Sequence, residues 1–344
     1  MNKDYIEISP NDEIFKVLDP FSNTKLSKLK GLDLQQIISL IDKFYLVYRK
    51  KLGIDKKITF GFEIEVEKSK DDDIENSISN LELDGNWAVT DDGSLDHGSE
   101  ILSPVLTDKK KYWNELKQVC DILNNYSQVG KTTGSHIHIG TQVMGDKRKN
   151  WLNLLKMWSV YENIIYRFLY GEYLTGRPKI LKYAMPASNK FKILYEEFID
   201  EKLDISRIIH RLNTDVDRYS AICFKNVDKK HLCEYQDYNT IEFRVANGTI
   251  NHIIWQNNLN MIVNMLLYLK SSKYDLDTIE KRRLETKIDF DLYDEIYLDQ
   301  ALEFSDMIFD NNYDKVYFLK QYLKSFEFQN YRKEYSKAKE LTKK

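Results

Sequence analysis

Along "FGFEIEVE", residues 60–67, apolar and acidic positions alternate, with Phe60, Phe62, Ile64 and Val66 set against Glu63, Glu65 and Glu67. Period two marks a strand with one buried face, so the pattern predicts a strand over 58–67 with its glutamates on one side. Glutamate is a poor strand former, and like charges on one strand face repel. That face therefore asks for a counter-charge. Two later segments repeat the design. "GSHIHIG" sets His136 and His138 against Ile137 and Ile139, and "TIEFRV" sets Glu242 and Arg244 against Ile241, Phe243 and Val245. Short strands are also predicted over 86–90 and 98–103, the latter carrying Glu100 near its start, and another within "YSAICFKNV".

Elsewhere the apolar spacing is helical. It predicts helices over 108–126, 148–170, 190–212 and 252–270, and one through "LQQIISLIDKFYLVYRKKLG" that closes at Gly53. The "KSKDDDIEN" run reads as a solvated loop. Residues 272–344 read as charged, aromatic-bearing helices. Five prolines and 13 glycines leave no flexible linker to divide the chain. The expected organisation is a helical lead-in (1–57), a core (58–271) and a helical C-terminal extension (272–344), all in one compact domain. Strands interleaved with helices predict an α+β fold: a mainly antiparallel sheet with one ligand-binding face and helices on the other.

Composition narrows the function classes. Hydrophobic residues make up 42% and charged residues 31%, and the net charge is −3, so no basic excess points to nucleic acid. The most apolar late segment, "MIVNMLLYL", is too short to span a bilayer. The N-terminus lacks the basic-then-apolar order of a signal peptide. Cys120, Cys223 and Cys233 form no framework and fit a reducing compartment as buried thiols. A soluble cytoplasmic protein is expected, with no nucleic-acid and no membrane partner; oligomeric state is left open.

For any one of the three strands, a titratable face could simply be solvated. All three together fit that reading poorly, because lysine is absent and carboxylates and imidazoles take its place. Such groups suit Mg²⁺ or Mn²⁺, and without cysteine they do not suit structural zinc. Arg244, two residues from Glu242, could grip a phosphate in bidentate fashion. Together these point to phosphoryl chemistry on a nucleotide. "GKTTGS" (130–135) resembles a phosphate loop, but Asn125 stands where its first glycine would fall and a strand follows. A metal hydrolase would need further ligands from His210, His231 or His252; His97 reads as a turn residue.

In this order, "FGFEIEVE", "DDGSLDHGSEILSPVL", "GSHIHIG" and "NTIEFRVANGTI" resemble the amidoligase family, a distant branch of the glutamine synthetase and glutamate–cysteine ligase superfamily. The likeness spans roughly residues 58–256. It implies a glutamine synthetase-like catalytic sheet whose concave face holds ATP and divalent ions, and an ATP-dependent carboxylate–amine ligase working through an acyl phosphate. By this resemblance Glu63, Glu65, Glu100, His136 and Glu242 are metal ligands, and Arg244 contacts the transferred phosphate. Glu63, Glu242 and Arg244 then carry the catalytic roles. His138 is expected to contact nucleotide or substrate, and Asp92 the substrate amine. Arg177 and Lys182 in "GRPKILKYAMP" are candidate phosphate contacts, with a solvated loop as the competing reading. No PGQxE-type segment is present, so two Mg²⁺ or Mn²⁺ ions are expected rather than three. Glu67 is expected at the solvent end of its strand. The substrates would be a carboxylate and an amine on small molecules, peptides or proteins. Three rivals stay open: a guanidino-kinase-like phosphotransferase, a non-catalytic nucleotide-, metal- or protein-binding module, and a metal hydrolase.

Overall fold

The computed structural model describes residues 5–9, 11–95, 97–130, 132–170, 180–285 and 298–324. Its centre is a six-stranded antiparallel sheet: β1 Phe60–Val66, β2 Ala88–Asp91, β3 Ser99–Leu102, β4 Gly134–Gly140, β5 Ile222–Cys223 and β6 Thr240–Asn247. The spatial order is β2-β3-β1-β4-β6-β5. The strands with alternating titratable faces are thus neighbours. Only two residues of "YSAICFKNV" pair, against Phe243 and Glu242 of β6.

The apolar face is covered by helices that each bring a tryptophan to it. Trp113 of α4 (Lys110–Tyr126) stacks on Phe60, with ring centroids 5.4 Å apart. Trp255 of α9 (His252–Leu269) packs on Phe62 at 5.0 Å, and Trp158 of α5 (Arg148–Tyr170) on Phe243 at 6.0 Å. All three indoles are fully buried. Such side chains carry much of a core's apolar burial, and they fix which face of each helix meets the sheet.

Three local expectations change. The "DDDIEN" run is not a loop but the start of α3 (Asp71–Ser79). Its three aspartates occupy the first turn, where they suit the helix dipole, while Ile74 and Ile78 bury one face. The N-terminal helix does not reach Gly53. After the short α1 (Ile14–Val17), α2 spans Gly31–Lys43 and stops at Phe44, which is extended. From there Phe44 is buried and Tyr45 exposed, and side chains elsewhere in the fold hold the backbone. The Gln256 amide bonds both the N–H and the C=O of Arg49. The Asp108 carboxylate accepts from the N–H groups of Leu52, Gly53 and Ile54 and from the Trp113 indole. Tertiary hydrogen bonds here override a helical pattern. Third, residues 190–212 form two helices, α7 (Ser188–Asp200) and α8 (Ile205–Asp215), because the Asp204 side chain accepts from Arg207 N and starts a new one.

The remaining helices are α6 (Ile180–Tyr183), α10 (Leu276–Glu285), α11 (Leu298–Ile308) and α12 (Asn312–Lys324). The last two clasp the N-terminal segment. Lys315 Nζ, fully buried, meets Asp306 Oδ1 at 2.6 Å, Asn23 Oδ1 at 2.6 Å and the Thr24 carbonyl at 2.5 Å. Asp306 also accepts from Leu26 N and Ser27 N. Among the described residues, no helix is long and apolar enough to cross a membrane.

Candidate active site

The register across the sheet decides which titratable groups meet. β1 against β4 sets Glu63 opposite His136; β1 against β3 sets Glu65 opposite Glu100; β4 against β6 sets His138 opposite Glu242. Opposed residues on one sheet face stand within side-chain reach. Three β4 residues, Ser135 to Ile137, are matched by four of β6, Ala246 back to Phe243. This bulge flanks His136 and Arg244, and bulges of this kind re-aim side chains beside functional sites.

Glu63 lies at the centre. His136 Nδ1 is 2.7 Å from Glu63 Oε2, and His138 Nε2 is 2.7 Å from Glu63 Oε1. Burial would raise the Glu63 pKa, but hydrogen bonds from His136 and His138 and their charge hold it well below the carboxylate range. His138 moves upward: burial opposes its charge most, and the Glu63 hydrogen bond together with the charges of Glu63 and Glu242 outweighs it. Glu100 is pushed up to about 8 by burial and then by the charges of Glu63 and Glu65. Without a cation, the cluster is thus short of positive charge.

Glu65 and Glu67 are held by the loop before β4. Glu65 accepts from Gly134 N. Glu67 accepts from Thr132 N at 2.8 Å and from the Thr132 hydroxyl. Glu67 is buried, 6% exposed, rather than at the solvent end of its strand. The reason is that Gln128 pairs with Glu67 along the backbone while Thr132 caps its carboxylate. Gly130 permits this closeness, since a Cβ there would lie 1.6 Å from Glu67 Oε2.

The fit to cations can be tested on the donor set. His136 Nε2 is buried, makes no hydrogen bond and lies 3.3 Å from Glu65 Oε1. Two groups of ligand atoms lie within 4.8 Å of one another, Glu63–Glu100–His136 and Glu63–His138–Glu242. An orphaned imidazole nitrogen among carboxylates, two of them directly opposed, fits a hard or borderline divalent cation. The Cys223 thiol stands opposite Glu242 on β5; burial pushes it up to about 11, so it stays protonated. Cys233, by contrast with the expectation of buried thiols, is exposed.

A cavity of about 260 Å³ opens over this face, lined by Glu63, Glu65, Asp92, Glu100, His136 and Arg244. Arg244 pairs with Glu242, and its Nε reaches the Tyr183 carbonyl at 3.4 Å. Sequence patterns did not single out its other walls: Ser94, Thr132, Tyr183, Arg218 and Tyr219. A second cavity, of about 240 Å³, adjoins it at Glu63 and is largely apolar, with Gly61, His138, Gly140, Pro104, Tyr235 and Tyr238 among its walls. Arg177 lies outside the described residues, and Lys182 is exposed over the Tyr183 ring. His210, His231 and His252 join neither ligand group; His231 pairs with Asp228 instead. His97 is a turn residue with positive φ.

Residues 71–266 match the family model described as "Putative amidoligase enzyme". No curated protein matches the chain. The match begins after β1, so Glu63 and Glu65 precede it, while Glu100, His136, His138, Glu242 and Arg244 fall inside. Because the match covers more than half of the sequence, this chain belongs to the amidoligase family, a family of ligase-type enzymes.

Proposed function

We propose that the protein is an ATP-dependent carboxylate–amine ligase working on a glutamine synthetase-like catalytic sheet. The observation that carries the reading is Glu63 bridged by His136 and His138, with Glu242 and Arg244 on the adjoining strand of a family member. Glu63, Glu65, Glu100, His136 and Glu242 would hold two Mg²⁺ or Mn²⁺ ions, with Glu63 common to both ligand groups. When bound, these ions offset charge on the ATP phosphates.

The two adjoining cavities divide the work. The apolar one, with its tyrosines, takes the nucleoside end, and His138 on its wall contacts the phosphates. The polar one takes the acid and the amine. A substrate carboxylate oxygen attacks the γ-phosphorus, the bond to the ADP oxygen breaks, and an acyl phosphate forms. Arg244, fixed by Glu242, stabilises the charge spread over the moving phosphoryl group. The amine nitrogen then attacks the acyl carbon, loses a proton, and phosphate leaves with the C–O bonding pair. Asp92, on the cavity wall, orients the amine.

The test is ADP release and product analysis with pooled carboxylates and amines, in Mg²⁺ and in Mn²⁺. An amide product is expected, and ADP release should collapse in Glu63→Gln. A stable phosphorylated guanidine in place of an amide, or undiminished turnover in Glu63→Gln, would refute the reading.

A further inference from the structure

Glu162 belongs to α5, on the apolar side of the sheet, and has no place in the scheme above. It is 1% exposed, and among the described residues it forms no ion pair. A carboxyl buried so deeply is costly unless donors meet it. Here they do. Oε1 accepts from the Trp158 indole and from Ala187 N, each at 2.6 Å, and Oε2 accepts from Ser188 N at 2.9 Å. Ala187 stands at the N-cap of α7 and supplies no side-chain cap of its own. Glu162 therefore caps α7 from another helix, at the end where the helix dipole favours negative charge.

The segment capped in this way reaches Arg244 by two routes. One turn farther along α5, the Tyr166 hydroxyl donates to the Ala184 carbonyl at 2.5 Å, so residues 184–188 are gripped at both ends. Between the grips, Met185 pairs with Ser220 in a parallel bridge. Ala221 N donates to the Met185 carbonyl and Arg244 N to the Ala221 carbonyl, which links Met185 to the Arg244 backbone. Just before the grip, the Tyr183 carbonyl takes Arg244 Nε at 3.4 Å. Trp158, bonded to Glu162, adds a packing contact: its ring meets Phe191 of α7 at 6.5 Å and Phe243 at 6.0 Å. Phe243 lies between Glu242 and Arg244 on β6.

We infer that Glu162 is a positioning residue: by capping α7 it fixes residues 183–187, and through them the direction in which Arg244 presents its guanidinium to the cavity. Glu242 holds that guanidinium on one side, and the Tyr183 carbonyl meets its Nε. A planar guanidinium acts on a phosphoryl group only in the right orientation. A displacement of about 1 Å in a positioned group can cost on the order of 100-fold in rate. The effect on rate rests on the ligase reading; the coupling of Glu162 to Arg244 does not.

The experiment follows the Nε–H signal of Arg244 by ¹H–¹⁵N NMR in the full chain without ligand, assigned by its loss in Arg244→Lys. Glu162→Gln turns an amide N–H₂ toward groups that themselves donate. It should shift or broaden the Arg244 signal more than Lys315→Met does, whose lost contacts lie away from the site. Tyr166→Phe gives up only the hydroxyl bond to Ala184 and should move the signal by less; if Glu162→Gln does not fold, this variant decides. In turnover, Glu162→Gln should lower kcat for ADP release about tenfold, with the KM for Mg²⁺–ATP held within about twofold. An Arg244 signal that neither variant moves, or that Lys315→Met moves as far, would overturn the proposal. No ADP release from the native protein would count against the ligase reading instead, and the NMR result would still decide the coupling.

Discussion

His138 stands opposite Gly61 across β1 and β4, yet its Nε2 bonds Glu63, two residues farther along. The imidazole can lean along the sheet because its direct partner has no side chain. The Thr240 hydroxyl, 3.0 Å from Nδ1, fixes the other edge of the ring. One missing side chain thus serves both the cluster and the second cavity, which Gly61 lines.

Gly61→Val should separate these roles from folding. A Cβ at Gly61 would meet Ser103 Oγ at 3.5 Å and His138 Cβ at 4.0 Å, both ordinary contacts. The branched side chain suits a strand but fills the cavity. Mg²⁺–ATP affinity measured by calorimetry is expected to fall at least about tenfold, with the thermal midpoint held or raised.

Removing the charge at Glu63 should act on chemistry. Glu63→Gln keeps the shape, yet loses the proposed cation ligand and the charged partner of two imidazoles. ADP release is expected to slow by about 2–4 kcal/mol of activation free energy, the range for a preorganised electrostatic group. Rapid-quench kinetics would check this.

The pH dependence of the metal-free protein should carry the sign of Glu100. Its folded pKa, about 8, lies above the ordinary 4.5, so the folded state holds this proton where the unfolded chain has released it. This contribution therefore falls as pH rises from about 4.5 to about 8, and is flat beyond. Saturating Mg²⁺ should remove the slope and stabilise the fold. Denaturant unfolding across that window, with and without Mg²⁺, reads both effects; a Glu100→Gln protein should lack the slope.

Away from the site, Lys315→Met tests the clasp. Its ammonium is fully buried among three oxygens, and Asp306 would lose its charge partner. Breaking such a pair costs about 3–5 kcal/mol. Equilibrium unfolding should show that loss, while Mg²⁺–ATP affinity stays within about twofold.

Legibility followed the range of the forces involved. β1, β4 and β6 could be read because period-two alternation is local, and α5 because its apolar spacing runs through 23 residues. The register that sets Glu65 opposite Glu100 is not local, and neither is the loop that buries Glu67 from 65 residues away. Phe44–Gly53 carries a helical pattern but is held out of a helix by Gln256 and Asp108, which no window around it contains. Arg218 gave no signal, because a lone arginine in a turn acquires meaning only from the cavity it lines.

The clasp of α11 and α12 on residues 23–27 has a consequence in time. Leu26 N and Thr24 N find their acceptors on Asp306 and Asn312, 280 and 288 residues later. On a ribosome residues 24–27 therefore wait, their partners unmade, until α11 and α12 have been synthesised. Closing so long a loop belongs to the slow end of folding. The sheet that carries the cluster is complete at β6, well before α11 and α12 emerge, so the chemistry-bearing face can assemble while the molecule is still open at its seam.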